Sequence, residues 1–259
     1  MISNLSVVHK DAKIGNNVTI EPFAHIYGNV EIGDNTWIGS NVVIMDGTKI
    51  GSDCKIFPGA VLGAQPQDLK YADEETFLVI GDRVMIRECC TLNKATAESN
   101  YTRIGNDTLL MAYVHVAHDC VVGNNCILAN SVNLAGHVTI QDYVILGGMV
   151  PVHQFVTVGC HSMVGGGSLV RKDVPPYIKA AREPLSYVGI NSIGLNRRGF
   201  DKEKVNLIND LYRIIYVSGL NMTKAIAEVE ASIGDCIEKD KVLEFIKNSQ
   251  RGLIRGYNG

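Results

Sequence analysis

The stretch Val18–Ile44, VTIEPFAHIYGNVEIGDNTWIGSNVVI, carries isoleucine at 20, 26, 32, 38 and 44, one every six residues. Extended in both directions, the register holds from Ile2 to Leu62, returns at Ile80, Ile86 and Leu92, and runs from Ile104 through Val170. All 26 positions are Ile, Leu or Val. Four residues after each comes a small or β-branched residue, such as Ala24, Val42, Cys54, Ala60, Cys120 or Val138. Neither the 3.6-residue period of an amphipathic helix nor the period of 2 of a single strand places apolar residues this way. A parallel β-helix does: each hexapeptide makes one short strand and one corner, and three make a coil of about 18 residues. Successive coils then stack at about 4.8 Å. The large aliphatic fills the prism, and the small residue points inward where a corner leaves little room. The expected fold is mainly β, a left-handed parallel β-helix of hexapeptide repeats over residues 1–174, with a C-terminal α-helical domain over 175–259.

The register breaks twice. AQPQDLKYADEETFLV (64–79) and AESNYTR (97–103) are polar and off-pattern, so both are expected to leave the prism as loops. Loops ejected from a solenoid commonly build its binding surface. Beyond Val174 apolar residues take helical spacing near 202–218, 221–233 and 239–248, as at Leu207, Ile208, Leu211, Ile214 and Ile215. Residues 175–259 hold 13 Lys+Arg against 10 Asp+Glu, whereas 1–174 hold 11 against 17. The basic end is a candidate dock for an acidic partner.

A chain of 259 residues buries enough core to need neither disulfides nor a structural metal. Seven cysteines without CxxC spacing, two of them adjacent at Cys89 and Cys90, read as reduced packing residues. No apolar run is long enough to span a bilayer, and Met1–Lys10 lacks the basic start and apolar middle of an export signal. A cytoplasmic protein is therefore expected, with no membrane insertion and, at a net charge of −3, no nucleic-acid partner.

Chemistry concentrates in MAYVHVAHDC (111–120). With three hexapeptides per coil, the strands at 116, 134 and 152 share one face, and His118, His137 and His153 belong to them. His115 leads into the same face. The second loop, taken as an omitted hexapeptide at 98–103, is expected to overhang it. A lone outward histidine is ordinarily a solvated surface group, but four of the chain's seven converge here. Two chemistries fit, a zinc site or a general base, and Asp119 could orient the His118 ring in either.

These motifs in order, QPQDLKY (65–71), HVAHDC (115–120), LAGHV (134–138), GGMVPVHQF (147–155), MVGGG (163–167), DVPPY (173–177), GLNRRGF (194–200) and RGLIRG (251–256), resemble the UDP-N-acetylglucosamine O-acyltransferase family of hexapeptide-repeat enzymes. The resemblance implies transfer of an (R)-3-hydroxyacyl chain from acyl carrier protein to the 3-hydroxyl of UDP-N-acetylglucosamine, the first step of lipid A biosynthesis. It further implies no cofactor or metal and a homotrimer with sites between subunits. Carried over, His118 would be the general base, Asp119 its orienting carboxylate, and the Gly136 N–H the oxyanion donor. Gln67, Asp68, Lys70, His115, His137, His153 and Gln154 would contact substrate, with Asn191 and Arg197 reaching the nucleotide from a neighbouring chain. Met163 and Gly166 would gauge acyl length, glycine at 166 admitting a long chain. Lys70 and Arg198 read equally well as solvated charges. TLNKAT (91–96) departs from the TIHRGT expected of the family, which leaves open whether a 3-amino sugar serves as acceptor. The sister N-acyltransferase is the nearest alternative, although it would carry an extra N-terminal domain where this repeat starts at Ile2. A zinc enzyme of carbonic anhydrase type is a more distant one.

Overall fold

The computed structural model describes residues 1–256, so the last three positions of the expected C-terminal domain lie outside the described residues. Three parallel sheets form the walls of a triangular prism. The first holds Val7–Val8 through Pro151–Val152, the second Lys13–Ile14 through Thr157–Val158, and the third begins at Thr19–Ile20. Each strand pairs with the one a coil later, as in Thr91↔His115↔Asn133↔Pro151 along the first sheet. The six-residue register is the core: Ile26, Ile38, Ile44, Ile56, Leu92, Leu110, Val116, Leu134 and Leu146 have no exposed surface. The small residues four positions on, among them Cys54, Ala60, Cys120 and Cys126, are equally buried. Burial pushes the thiols of Cys90, Cys120 and Cys126 up to about 12, which fits packing and not nucleophilic or ligand roles.

Most corners turn through a residue in the left-handed backbone region. Where the second sheet meets the third these are mostly Asn and Asp, such as Asn17, Asn35, Asp53, Asp107 and Asn125, which tolerate that conformation best. A side-chain ladder runs up this corner: the N–H groups of Asn16, Ser52, Asn106 and Asn124 donate to Asp34, Asp82, Asn124 and Asp142 a coil above.

The first loop is shorter than expected and the second starts and ends three residues earlier, because the last residues of both expected segments are strand. Phe77–Ile80 and Tyr101–Ile104 pair with each other in the second sheet, leaving 65–76 and 94–100 outside the prism. The second loop does not replace a strand of the first sheet. Thr91–Asn93 holds that place and pairs with His115–Val116. Both loops are insertions at one corner, where the first sheet passes to the second, in two successive coils.

The third sheet continues beyond Met163–Val164 into Ile178–Ala181, then turns antiparallel to Ser186–Ile190 and takes Arg255–Gly256 at its edge. Four helices follow: α1 (Ser192–Arg197), α2 (Lys202–Tyr216), α3 (Met222–Ser232) and α4 (Ile237–Asn248). The three longer ones match the expected segments; α1 and the strands had no periodic signature to read. Helix α2 starts at Asp201, which accepts from Lys204 N–H, and buries Ile208, Leu211, Tyr212 and Ile215. The Tyr212 hydroxyl donates to Pro176 O at 2.6 Å. Asp173 ties the tail to the prism, accepting from Thr157 N–H and, at 2.6 Å, from Ser249 Oγ.

His161 stacks between Tyr143 and Tyr177 beside α1, and its Nδ1 has no partner among the described residues. Burial, with the nearby Arg198 charge, lowers its pKa from 6.5 to about 4. The unfolded chain therefore binds a proton between these values that the folded one refuses, so stability falls as pH drops from about 6.5 toward 4. Thermal melts of His161→Phe are expected to lose part of that acid sensitivity; an unchanged pH dependence would contradict it.

Candidate active site

The loop-bearing corner repeats in the next three coils as the turns after Val116, Leu134 and Val152. In the first, His118 is half-buried and Asp119 is fully enclosed, its left-handed φ of 61° imposed by the corner. His118 Nδ1 lies 2.7 Å from Asp119 Oδ2. Donation from Nδ1–H to the carboxylate leaves Nε2 as the proton acceptor. Burial alone would push the Asp119 carboxyl up. Hydrogen bonds from Ser99, His118 and Thr96 outweigh it and hold the group below its ordinary range, ionised at neutral pH.

One coil on, His137 sits edge-on to His118 with ring centroids 5.2 Å apart, and its Nε2 is 3.7 Å from both Asp119 Oδ2 and Glu98 Oε2. Phe155, a further coil on, stacks on His137 at 4.5 Å. At Gly136 a Cβ would stand 2.6 Å from His118 Cε1, so only glycine leaves the ring its place. Among the described residues the Gly136 N–H makes no hydrogen bond within the chain.

The two loops roof these turns over a cleft of about 670 Å³. Gln67, Asp68, Lys70 and Tyr71 line it from the first loop, Thr96 and Glu98 from the second, and His118, His137, Gln154 and Phe155 from the turns. Asp68 Oδ1 accepts from Lys70 N–H and shapes the first loop. Glu74 joins the loops by accepting from Ala72 and Ala97 N–H groups. Asn93, buried at the root, donates to Ala64 O and Gln65 O, while Lys94 lies over the Tyr71 ring. The two departures from the family motif thus hold the first loop. Glu74, Thr96, Glu98 and Phe155 were not foreseen, since nothing in their spacing marks them.

The remaining expected residues are dispersed. His115 points from the sheet face to Thr91 Oγ1 at 2.7 Å, and burial lowers its pKa. His153 is exposed and lies outside the cleft, its Nδ1 3.2 Å from Arg251 Nη2. Met163 and Gly166 occupy the strand and corner leading from the third sheet to the first. Asn191 and Arg197 sit at α1, beside the corner from the second sheet to the third. There Asn191 caps α1 by accepting from Gly194 N–H and donates to His161 O, so both ends of its amide hold structural bonds. Arg198 is not a solvated charge: its guanidinium lies over Tyr143, with Nη1 buried.

His118, Asp119 and His137 offer ligand atoms within 4.8 Å of one another, the spacing a metal would need. A cation taking Asp119 Oδ2 as a ligand would compete for that oxygen with the hydrogen bonds from His118 and Thr96. The donor set is built for hydrogen bonding, which disfavours the zinc reading.

Coils of six-residue repeats carrying a His–Asp pair under two loops place the chain among the hexapeptide-repeat transferases. The bacterial transferase hexapeptide model matches 11–36, 29–64 and 101–136, and the fold is the left-handed parallel β-helix expected of it. The model for domain 2 of UDP-N-acetylglucosamine O-acyltransferase matches 173–254. An acyl-[acyl-carrier-protein]–UDP-N-acetylglucosamine O-acyltransferase of Burkholderia lata is 44% identical over 198 residues, 74% of this chain and 76% of that one. Its counterpart in Thiobacillus denitrificans is 43% identical over 194 residues. The UDP-N-acetylglucosamine acyltransferase structure from Bacteroides fragilis superposes with a TM-score of 0.97 at 50% identity, covering 98% of this chain and all of that one. That from Francisella novicida gives 0.96 at 40%, covering all of this chain and 95% of the other. The chain belongs to the UDP-N-acetylglucosamine O-acyltransferase family.

Proposed function

We infer that this acyltransferase moves an (R)-3-hydroxyacyl chain from acyl carrier protein to the 3-hydroxyl of UDP-N-acetylglucosamine, the step that opens lipid A biosynthesis. The observation that carries the chemistry is the His118 Nδ1 to Asp119 Oδ2 bond at 2.7 Å, which directs a free Nε2 into the cleft. A sugar hydroxyl is a poor nucleophile at neutral pH, whereas a thioester is already activated, so one oriented imidazole is sufficient equipment. His118 Nε2 takes the hydroxyl proton as the oxygen attacks the thioester carbonyl, and Asp119 stabilises the imidazolium that forms. The unbonded Gly136 N–H beside it meets the developing oxyanion. Collapse releases the carrier thiol, with the proton returned from His118. Gln67, Asp68, Lys70, His137 and Gln154 hold the sugar end and its linkage, and no metal takes part. The relatives' names favour the O-acyl product over the N-acyl one of the sister enzyme. Given both acceptors, the purified protein is expected to form an ester that mild alkali cleaves; an alkali-stable amide instead would overturn the assignment.

The three groups of proposed site residues lie along three different edges of the prism. The base pair is at the first-to-second corner, the acyl gauge at the third-to-first, and Asn191 with Arg197 beside the second-to-third. One chain cannot close one site from all three edges. Copies around a threefold axis can, which supports a homotrimer in the cytoplasm with the nucleotide held partly by a neighbour's Arg197. Light scattering should return three times the chain's mass, and a monomer would contradict it. The nearest atoms to a Cβ at Gly166 are backbone of Gly148 and Gly147, 3.2 Å to Gly148 O, so we expect a longer side chain there to extend outward, into the path proposed for the acyl tail. Gly166→Met is expected to shift donor preference to shorter chains; an unchanged chain-length profile removes the gauge from the account.

A further inference from the structure

Asp119 is held chiefly by the second loop. Its Oδ1 accepts from Thr96 N–H at 3.1 Å and from the Ser99 hydroxyl, and its Oδ2 accepts from Thr96 Oγ1 at 2.8 Å as well as from His118. Thr102 Oγ1 meanwhile accepts the Asp119 N–H at 2.9 Å, fixing the backbone from behind. The carboxylate, with no exposed side-chain surface, thus has loop donors on both oxygens. Resting on the reading of His118 as the base, we propose that Thr96 and Ser99 are positioning residues for catalysis. The loop 94–100 acts as a clamp that sets the orientation and proton affinity of the Asp119–His118 pair, beyond its part in lining the cleft.

The physical reason lies in the carboxylate's capacity. Each loop hydroxyl takes up a lone pair that would otherwise strengthen the hold on the imidazole proton. With both donors in place the carboxylate is held in one orientation against His118 Nδ1. Without them, Asp119 gains rotational freedom, and the less satisfied carboxylate holds a proton on the pair more tightly. The acid limb of the pH–rate profile then moves to higher pH. The titratable groups facing the pair are His115 and His137 from neighbouring strands and turns, Cys120 behind it, Glu98 from the second loop, and Asp68, Lys70, Tyr71 and Glu74 from the first. All remain in the variants below, so a shift belongs to the removed hydroxyls.

The test is steady-state acyl transfer by the full-length chain from pH 5 to 9. Ser99→Ala and Thr96→Val are each expected to lower kcat on the order of tenfold, less than the roughly hundredfold that a 1 Å misplacement costs. KM for the sugar nucleotide should stay within about twofold, with the acid limb moved to higher pH. Ser99→Thr and Thr96→Ser keep the hydroxyls and should restore the wild-type profile, which guards against a mere folding defect. A raised KM with an unshifted profile would show that the loop only lines the cleft and would overturn the proposal. Adding Ser99→Ala to His118→Ala should cost nothing further, whereas an additional loss sinks the clamp. Wild-type activity in His118→Ala itself would instead sink the underlying assignment of the base, so the two failures are distinguishable.

Discussion

His118→Ala is expected to lower kcat for acyl transfer by about 10²–10⁴-fold, the usual contribution of a positioned general base. KM for UDP-N-acetylglucosamine should change far less, because Gln67, Asp68, Lys70 and Gln154 still line the cleft. The ring is partly exposed and lines the cleft on the outside of the prism, so the fold should survive the change. The variant leaves Asp119 buried and accepting from Thr96 and Ser99, which keeps its charge satisfied. Steady-state kinetics on a variant with a wild-type melting temperature decides the matter, and an unaltered kcat would remove His118 from the mechanism.

The second large effect is expected at Gly136→Ala. Its backbone φ is not in the left-handed region, so alanine is conformationally allowed there. The added Cβ would nevertheless fall 2.6 Å from His118 Cε1 and 2.8 Å from Nε2, inside any real contact distance. The ring cannot simply slide away, because Nδ1 is bonded to a carboxylate that the second loop pins. Relief therefore comes from rotating the imidazole off Asp119, and kcat should fall about 10²-fold, the scale of a 1 Å misplacement. Alanine keeps the backbone N–H proposed for the oxyanion, so the loss would report the displaced ring. Stability should change by about 1 kcal/mol or less, since the turn is outside the core. A variant as active as the parent would mean that the ring works from another position.

The solenoid was legible because its period enters the sequence undiluted: from Ile2 to Val170 the inward slot is aliphatic in every repeat. The loop ends were not, for a local reason. Leu78 and Thr102 are buried two residues ahead of Ile80 and Ile104, so each loop re-enters the prism along a strand longer than one hexapeptide provides. Counting 98–103 as an omitted repeat consequently put the second loop on a sheet face, whereas it sits at the corner above His118. The convergence of His118 and His137 followed from the 18-residue coil, but His153 falls outside because its turn presents Gln154 and Phe155 to the cleft. Arg198 shows the limit of reading charge from sequence: between Tyr143 and the corner it is shielded, and burial lowers its pKa. Thr96 and Ser99 carry no motif, since their role depends on where a loop lands.

The most direct test of the central claim is one reaction read by mass spectrometry. Purified chain is mixed with UDP-N-acetylglucosamine and 3-hydroxyacyl carrier protein, alongside the His118→Ala variant. The account predicts that the wild-type chain adds a single hydroxyacyl ester to the sugar 3-oxygen and that the variant gives almost none. Acylation at nitrogen, no product from the wild type, or equal product from both would contradict it.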